Sequence, residues 1–573
     1  MLREILKFIS FVSIMIFFPI SYVYGTDSEI KEIIPNLNDG YAHTQVEKIW
    51  TNLIYLNADN DLGRFVFPCL KSIEQIGSSD NVNVLVQFDG PLANDSKRML
   101  IRKIPSSGIS NNLIFAENTE YDMLDPKTVS DFLEWGIKSY PGKRIVFSLV
   151  AHGAGIFNFP KQKDNSNHRS KSSESENVPH DSIWAHINQK EMISNIQDVL
   201  IKSNNGKKIE LFLYNSCLMG NFETLATLSS IAKYAVASEY LISYDAKDLP
   251  TQDTYGISFM SLLNYLTCNP KAEIREIGCC LIDTFRKRYK HYGYYHSRTG
   301  KTFYPAASLI LYNLSVCSDI ENYLTIMVKE IQQQINHNPA LFELLFIELL
   351  KVHKVDTSIL YIDFGHFTEI MSRITGLKSA KILHDCLCAS TDFIMSKAIM
   401  HTSAKTHPCG VSIFFPNGII AGQIDTSQSS YRSYQDLEIV KKTGWGNFVD
   451  SYLHFIEENR VDILRKIVEG LINKNKKIQF EHPWDGYYSE VYLFLVTEIA
   501  FYPLLIKGDF DRVGRYIEMI IESDYQSPQF NKHRKDMYMC LKRNRDEETD
   551  PYRYGKIENL LSKFSEINIS PTY

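Results

Sequence analysis

Between residue 49 and about residue 245, apolar runs alternate with amphipathic ones. Ile49–Asn57 (IWTNLIYLN), Val82–Asp89 (VNVLVQFD), Arg144–Val150 (RIVFSLV), Lys208–Tyr214 (KIELFLY) and Tyr234–Ser238 (YAVAS) are rich in β-formers and largely apolar. Runs of this kind suit strands buried on both faces of a parallel sheet. Between them the period turns helical. Val129, Phe132, Leu133 and Ile137 share one face behind Asp125-Pro126, where Asp serves as N-cap and Pro fills the first helical position. Asn188-x-x-Glu191 has the form of a capping box, ahead of the stripe Met192, Ile193, Ile196, Val199 and Leu200. Strand and helix in this rhythm predict an α/β fold with helices on both faces of the sheet.

The rest of the chain reads differently. Residues 160–180 are polar and carry Lys161, Lys163, Arg169 and Lys171, which predicts a surface loop. A helix is expected over Leu218–Lys233. Ala306–Leu314 is strand-like and gives way to helical segments through residue 400. Gly410–Pro416 (GVSIFFP) is another strand-like run, and the residues after 455 look helical and charged.

Composition narrows the class. With 44% apolar residues among 573, the chain can bury a large core. Its 61 basic and 67 acidic residues give a net charge of -6, without the basic excess of a nucleic-acid binder, so no nucleic-acid partner is expected. Ten cysteines are too sparse for a disulfide scaffold, and Cys279-Cys280 and Cys386-x-Cys388 lack the spacing of a zinc site. Residues 1–25 read as a signal peptide. Arg3 and Lys7 precede an apolar run from Phe8 to Ile20, and Val23-Tyr24-Gly25 allows cleavage before Thr26. The run is shorter than a membrane span, so a secreted or periplasmic protein without a stable span is expected.

Two of the strands end in reactive residues. Arg144–Val150 leads into Ala151-His152-Gly153-Ala154-Gly155, and Lys208–Tyr214 leads into Asn215-Ser216-Cys217-Leu218-Met219-Gly220. In an open α/β sheet the carboxyl ends of the strands form the edge where ligands bind. If these strands are parallel neighbours, His152 and Cys217 meet there. An imidazole beside a thiol can accept its proton or pass one to a leaving amine. A helix opening at Cys217 would favour the thiolate, and the N–H groups of Gly153 and Cys217 could hold an oxyanion. Taken singly, a histidine before glycine is usually a turn residue and a cysteine after a strand is usually a packing residue.

The motifs as a set resemble the clostripain family of cysteine peptidases, within the caspase-like clan. The resemblance rests on the two apolar blocks ending in His152-Gly153 and Cys217-Leu218-Met219-Gly220. It extends to Asn57–Leu62, Val82–Asp89, Asp125-Pro126-x-Thr128 with Trp135 and Tyr140-Pro141, Ser238-Glu239, Gly410–Pro416 and Tyr434…Trp445-Gly446-Asn447-Phe448. It covers roughly residues 48–455. It implies a caspase-like, mostly parallel sheet flanked by helices and followed by a mainly helical C-terminal region. The corresponding division is a signal peptide (1–25), a catalytic domain (26–310), the family's C-terminal region (311–455) and a helical tail (456–573).

The resemblance also implies function: a secreted endopeptidase acting on polypeptides, with His152 and Cys217 catalytic and cleavage after Arg or Lys. Family members have Asp two residues before the nucleophile, near the pocket for the basic side chain, whereas this chain has Asn215. Glu239, Asp245 or Asp248 could supply the missing acid, with Asp245 the preferred candidate. Many members are cut between histidine and cysteine, so the basic 160–180 loop is a candidate for self-processing. No cofactor is expected. Calcium dependence occurs in the family, but no D-x-D-x-D-G loop is present, and calcium stays unassigned. Asn215 keeps open a second reading, a catalytically inactive binding or adhesion protein. A peptide-bond-forming transferase is a third.

Overall fold

The computed structural model describes residues 46–565, apart from residues 61, 91, 105–111, 157–186, 243–255, 291–293, 297–300, 304–305, 350–351, 353–354, 356–360, 401–407, 417–428, 474–500 and 522–527. The signal peptide, the 160–180 loop, Asp245 and Asp248 therefore lie outside the described residues.

The strands in chain order are β1 (Lys48–Asn57), β2 (Val82–Asp89), β3 (Ser96–Leu100), β4 (Leu113–Thr119), β5 (Gly142–Val150), β6 (Ile209–Asn215), β7 (Ala232–Ala237), β8 (Tyr294–His296), β9 (Lys301–Phe303), β10 (Ala307–Asn313), β11 (Tyr361–Asp363), β12 (Ile394–Met400) and β13 (Ser412–Phe414). Nine of them form one sheet in the order β12-β10-β7-β6-β5-β1-β2-β3-β4. The central five, β7-β6-β5-β1-β2, are mutually parallel. The strands on either side, β3 and β4 at one edge and β10 and β12 at the other, each pair antiparallel with their neighbours. This is the mostly parallel α/β sheet that the apolar runs predict.

The central strands are buried on both faces because helices cover both. Leu53, Tyr55, Phe147, Leu149, Phe212 and Tyr214 point to one face. Trp50, Ile54, Val146, Val150, Leu211 and Leu213 point to the other. On the second face lie α1 (Gly63–Ile76), α5 (Phe259–Cys268) and α6 (Ile274–Tyr289). On the first lie α2 (Pro126–Ser139), α3 (Gln189–Ser203) and α4 (Phe222–Leu228). The expected caps are present. Asp125 accepts from the Lys127 N–H at 2.8 Å, and Asn188 accepts from the Glu191 N–H at 3.1 Å.

Three expectations are corrected. The helix after the cysteine runs only over Phe222–Leu228, because Asn221 caps it and the chain then enters β7 beside β6. The stretch expected to be helical through residue 400 ends instead in β12, an edge strand on β10. The expected boundary at 310/311 falls inside β10, a strand of the main sheet.

Beyond β10 come α7 (Cys317–His337), α8 (Ala340–Leu349), α9 (Phe364–Thr375), α10 (Lys378–His384), α11 (Ser429–Gln435), α12 (Glu438–Thr443) and α13 (Trp445–Asn473). Their core is aromatic: Phe364, Phe367, Phe415, Trp445, Phe448 and Tyr452 are in ring contact. The two-stranded β11–β13 ribbon joins this cluster to the main sheet. Ser412 at its edge donates its N–H to Gly220 O at 3.0 Å. The last described elements are helices, Tyr502–Lys507, Phe510–Ile521, Pro528–Glu547 and Pro551–Ser565.

Candidate active site

His152 and Cys217 are brought together by strand register. In the parallel β5–β6 pair, Val150 stands opposite Asn215, so the chains leave the sheet side by side, with His152 and Cys217 each two residues further on. Both side chains are half-buried. Glycine at 153 makes the close approach possible. A Cβ there would run into Cys217 O and lie 2.9 Å from Cys217 N and 3.0 Å from Ser216 Cβ. The histidine segment and the nucleophile turn are thus in backbone contact.

The turn around Cys217 is tightly specified. Leu218 has φ +62°, a left-handed conformation uncommon for a residue with a side chain. It persists because neighbours fix it. The Leu218 N–H donates to Tyr240 O at 3.2 Å and Gly220 N–H to Ser238 O at 2.8 Å, while Asn221 Nδ2 donates to Leu218 O at 2.8 Å. Strain held this way clusters at functional turns. The Ile242 N–H donates to Cys217 Sγ at 3.2 Å, an interaction that favours the thiolate. This replaces the expected helix end, since α4 starts five positions after Cys217 and has seven residues.

The histidine segment is held from far along the chain. Tyr361 on β11 accepts from the Ile156 N–H at 3.0 Å and donates to Ala154 O at 3.2 Å. Gly155, at φ +70°, makes room for that phenol. On the opposite side of the nucleophile turn, Glu223 in α4 accepts from the Phe414 N–H at 2.9 Å and from the Tyr434 hydroxyl at 3.2 Å. Complete burial pushes its carboxyl up to about 7. Tyr361, Asn221, Glu223 and the Ile242 N–H were not anticipated from the sequence. No periodicity or spacing marks them, because their roles depend on contacts across long stretches of chain.

The expected pocket residues have distinct fates. Asn215 is 1% exposed, and its carbonyl accepts from the Ile257 N–H at 3.1 Å under the backbone of Gly256. Arg288 reaches the same turn, donating to Gly256 O at 2.8 Å, and the Tyr289 hydroxyl accepts from the Gly256 N–H at 3.3 Å. Glu239 is 0% exposed, and its carboxyl meets that of Asp363. Burial and this neighbour push it well above the ordinary range. In this position Glu239 does not present a carboxylate to an incoming substrate, which corrects its expected role. A further acidic group, Asp59, Asp89 and Glu120, lies at the ends of β1 and β2 and beyond β4, with ligand atoms within 4.8 Å of one another. Burial raises Asp89 to about 7 despite its hydrogen bond from Ser96.

A mostly parallel sheet with a histidine and a cysteine at matching strand ends has the architecture of a caspase-like thiol hydrolase. The model of the clostripain family, the C11 peptidases, matches residues 54–452, and the chain belongs to that family of cysteine peptidases. Among solved structures it is similar to a secreted C11 cysteine protease of Bacteroides thetaiotaomicron, "iotapain". The identity is 15% over 70% of this chain and 100% of that one, with a TM-score of 0.49. An inactive zymogen C11 protease of Parabacteroides distasonis is similar at 14% identity, over 70% of this chain and 99% of that one, with a TM-score of 0.46. No curated protein matches the chain. No described helix is long and apolar enough to cross a membrane.

Proposed function

We propose that this peptidase is a secreted endopeptidase working through a Cys217–His152 dyad. The observation carrying the reading is the β5–β6 register, which sets the two residues at matching positions beyond the carboxyl ends of adjacent parallel strands. Cys217 Sγ attacks the scissile carbonyl, and His152 delivers a proton to the departing amine. The N–H groups of Gly153 and Cys217 stabilise the tetrahedral oxyanion. Water then hydrolyses the thioester.

Cleavage after Arg or Lys is the specificity we infer, with Asp245 as the acid facing the basic side chain. Asn215 and Glu239 are engaged within the protein, so this preference rests on Asp245. The 160–180 loop, with its lysines and Arg169, is a substrate-like segment for self-processing.

The test uses wild type, Cys217→Ala and His152→Ala with fluorogenic peptides carrying Arg, Lys or a neutral residue before the cut, with and without calcium. Turnover by wild type alone, fastest on Arg or Lys, is expected. A peptide acyloxymethyl ketone should label Cys217. No turnover and no labelling under any condition would favour the inactive binding protein. Mass spectrometry of the active sample checks for cleavage within 160–180.

A further inference from the structure

A second group of reactive side chains lies apart from the sheet edge, around the first turn of α9. Cys388 belongs to the π-helical turn Asp385–Ala389 that follows α10, and Cys409 lies shortly before β13. Both sulfurs occupy the space over Gly365. A Cβ on that glycine would lie 3.1 Å from Cys409 Sγ and closer still to Cys388 Sγ. Cys409 is 2% exposed and donates to Leu387 O at 3.0 Å, whereas Cys388 is half-buried. His384 completes the group. Its Nδ1 lies 3.0 Å from Gly365 O, which can only accept, so Nδ1 carries a proton, and the ring hydrogen-bonds Cys388.

The environment makes the two sulfurs unequal. The neighbouring Cys409 and His384 lower the Cys388 thiol to about 7, against the effect of its burial. Burial pushes Cys409 well up. A reachable sulfur with thiolate character beside a sealed one is the arrangement that thiol–disulfide exchange requires. Among the described residues, the group whose donors converge closely enough for a metal ion is Asp59, Asp89 and Glu120, and it does not include these thiols.

We propose that Cys388 and Cys409 are a disulfide-forming pair, oxidised by exchange with a small-molecule disulfide such as oxidised glutathione. The Cys388 thiolate attacks one sulfur of the reagent. The reagent's S–S bond breaks, and its other half leaves as a thiolate that takes up a proton. Cys409 then gives up its proton and attacks the Cys388 sulfur, expelling the second small thiol. Two protein thiols are oxidised and one disulfide is reduced to two thiols. The new bond ties the turn after α10 to the segment entering β13. That segment also holds Asp363 through the Cys409 N–H at 2.7 Å and the nucleophile turn through Ser412. Export would place the pair where such bonds persist.

The experiment is peptide mapping of the full chain in the Cys217→Ala background, which removes the reactive nucleophile. Native protein is equilibrated with oxidised glutathione, alkylated and digested, with a dithiothreitol-reduced control. A peptide pair joined through Cys388 and Cys409, lost on reduction, is expected. Cys409→Ser should instead accumulate glutathione on Cys388, while Cys388→Ser should leave Cys409 unmodified. If both residues stay fully alkylatable in the protein carrying both thiols, or Cys388 is joined to a different cysteine, the proposal is overturned. Because this mapping needs no peptidase turnover, its outcome is separate from that of the proposed function.

Discussion

Replacing Glu223 by Gln should change how the stability of this peptidase depends on pH. Glu223 is completely buried in α4, and one of its oxygens accepts from the Phe414 N–H and the Tyr434 hydroxyl. Its carboxyl is raised from 4.5 to about 7, chiefly by desolvation. Between those values the folded state holds a proton that the unfolded state has released. Stability from this group is therefore complete below pH 4.5 and is lost as pH rises through 7. At about 1.4 kcal/mol per pH unit of displacement, the loss amounts to roughly 3 kcal/mol. Gln keeps the accepting oxygen and cannot ionise. Its amide puts two donors beside a buried site, a cost of about 1–3 kcal/mol, but that cost is the same at every pH and drops out of the slope. The assay is urea unfolding of wild type and Glu223→Gln, both in the Cys217→Ala background, from pH 4.5 to 8. The stability difference should move by roughly 3 kcal/mol in favour of Gln across that range. Parallel curves would show that Glu223 is ionised in the folded protein, and the burial argument would fail.

Other perturbations test the framework of the site. Tyr361→Phe leaves the buried Ile156 N–H without its acceptor. It should lower kcat by about tenfold with KM little changed, from a loss of about 1–3 kcal/mol, as read from initial rates on the preferred peptide. An unchanged kcat would remove Tyr361 from the positioning of His152. Gly153→Ala drives a methyl into the Cys217 backbone and should cut kcat/KM about a hundredfold, with slowed acyloxymethyl ketone labelling of Cys217. Wild-type rates in that variant would mean the two segments separate more easily than their contact implies.

What could be read in the sequence follows from burial. β1, β2, β5, β6 and β7 are central, and their apolar runs announce them; the matching positions of His152 and Cys217 are visible because each ends such a run. Edge strands give a weaker signal. β3 (SKRML) is short, β3 and β4 (LIFAENT) are mixed in polarity, and β4 leaves Ile114 and Phe115 exposed. In β12, Ser396 and Lys397 interrupt the apolar pattern. The helix expected over Leu218–Lys233 was drawn too long because helical spacing at Phe222, Leu225 and Leu228 runs straight into the apolar residues of β7. Ser229 and Ser230 mark the change, and pairing with β6 enforces it.

The division at residue 310 failed for a reason that bears on function. Sequence order suggests a catalytic half followed by an accessory half, but several hydrogen bonds that support the active site cross that line. Tyr361 holds the segment after His152, Ser412 holds Gly220, and Phe414 and Tyr434 hold Glu223 in the helix behind the nucleophile. β10 and β12 extend the same sheet beyond β7. The residues that react each follow an apolar strand and could be read there. Tyr361, Ser412, Phe414 and Tyr434, which help to fix their geometry, lie about two hundred residues from their partners in the chain, and only the folded contacts identify them.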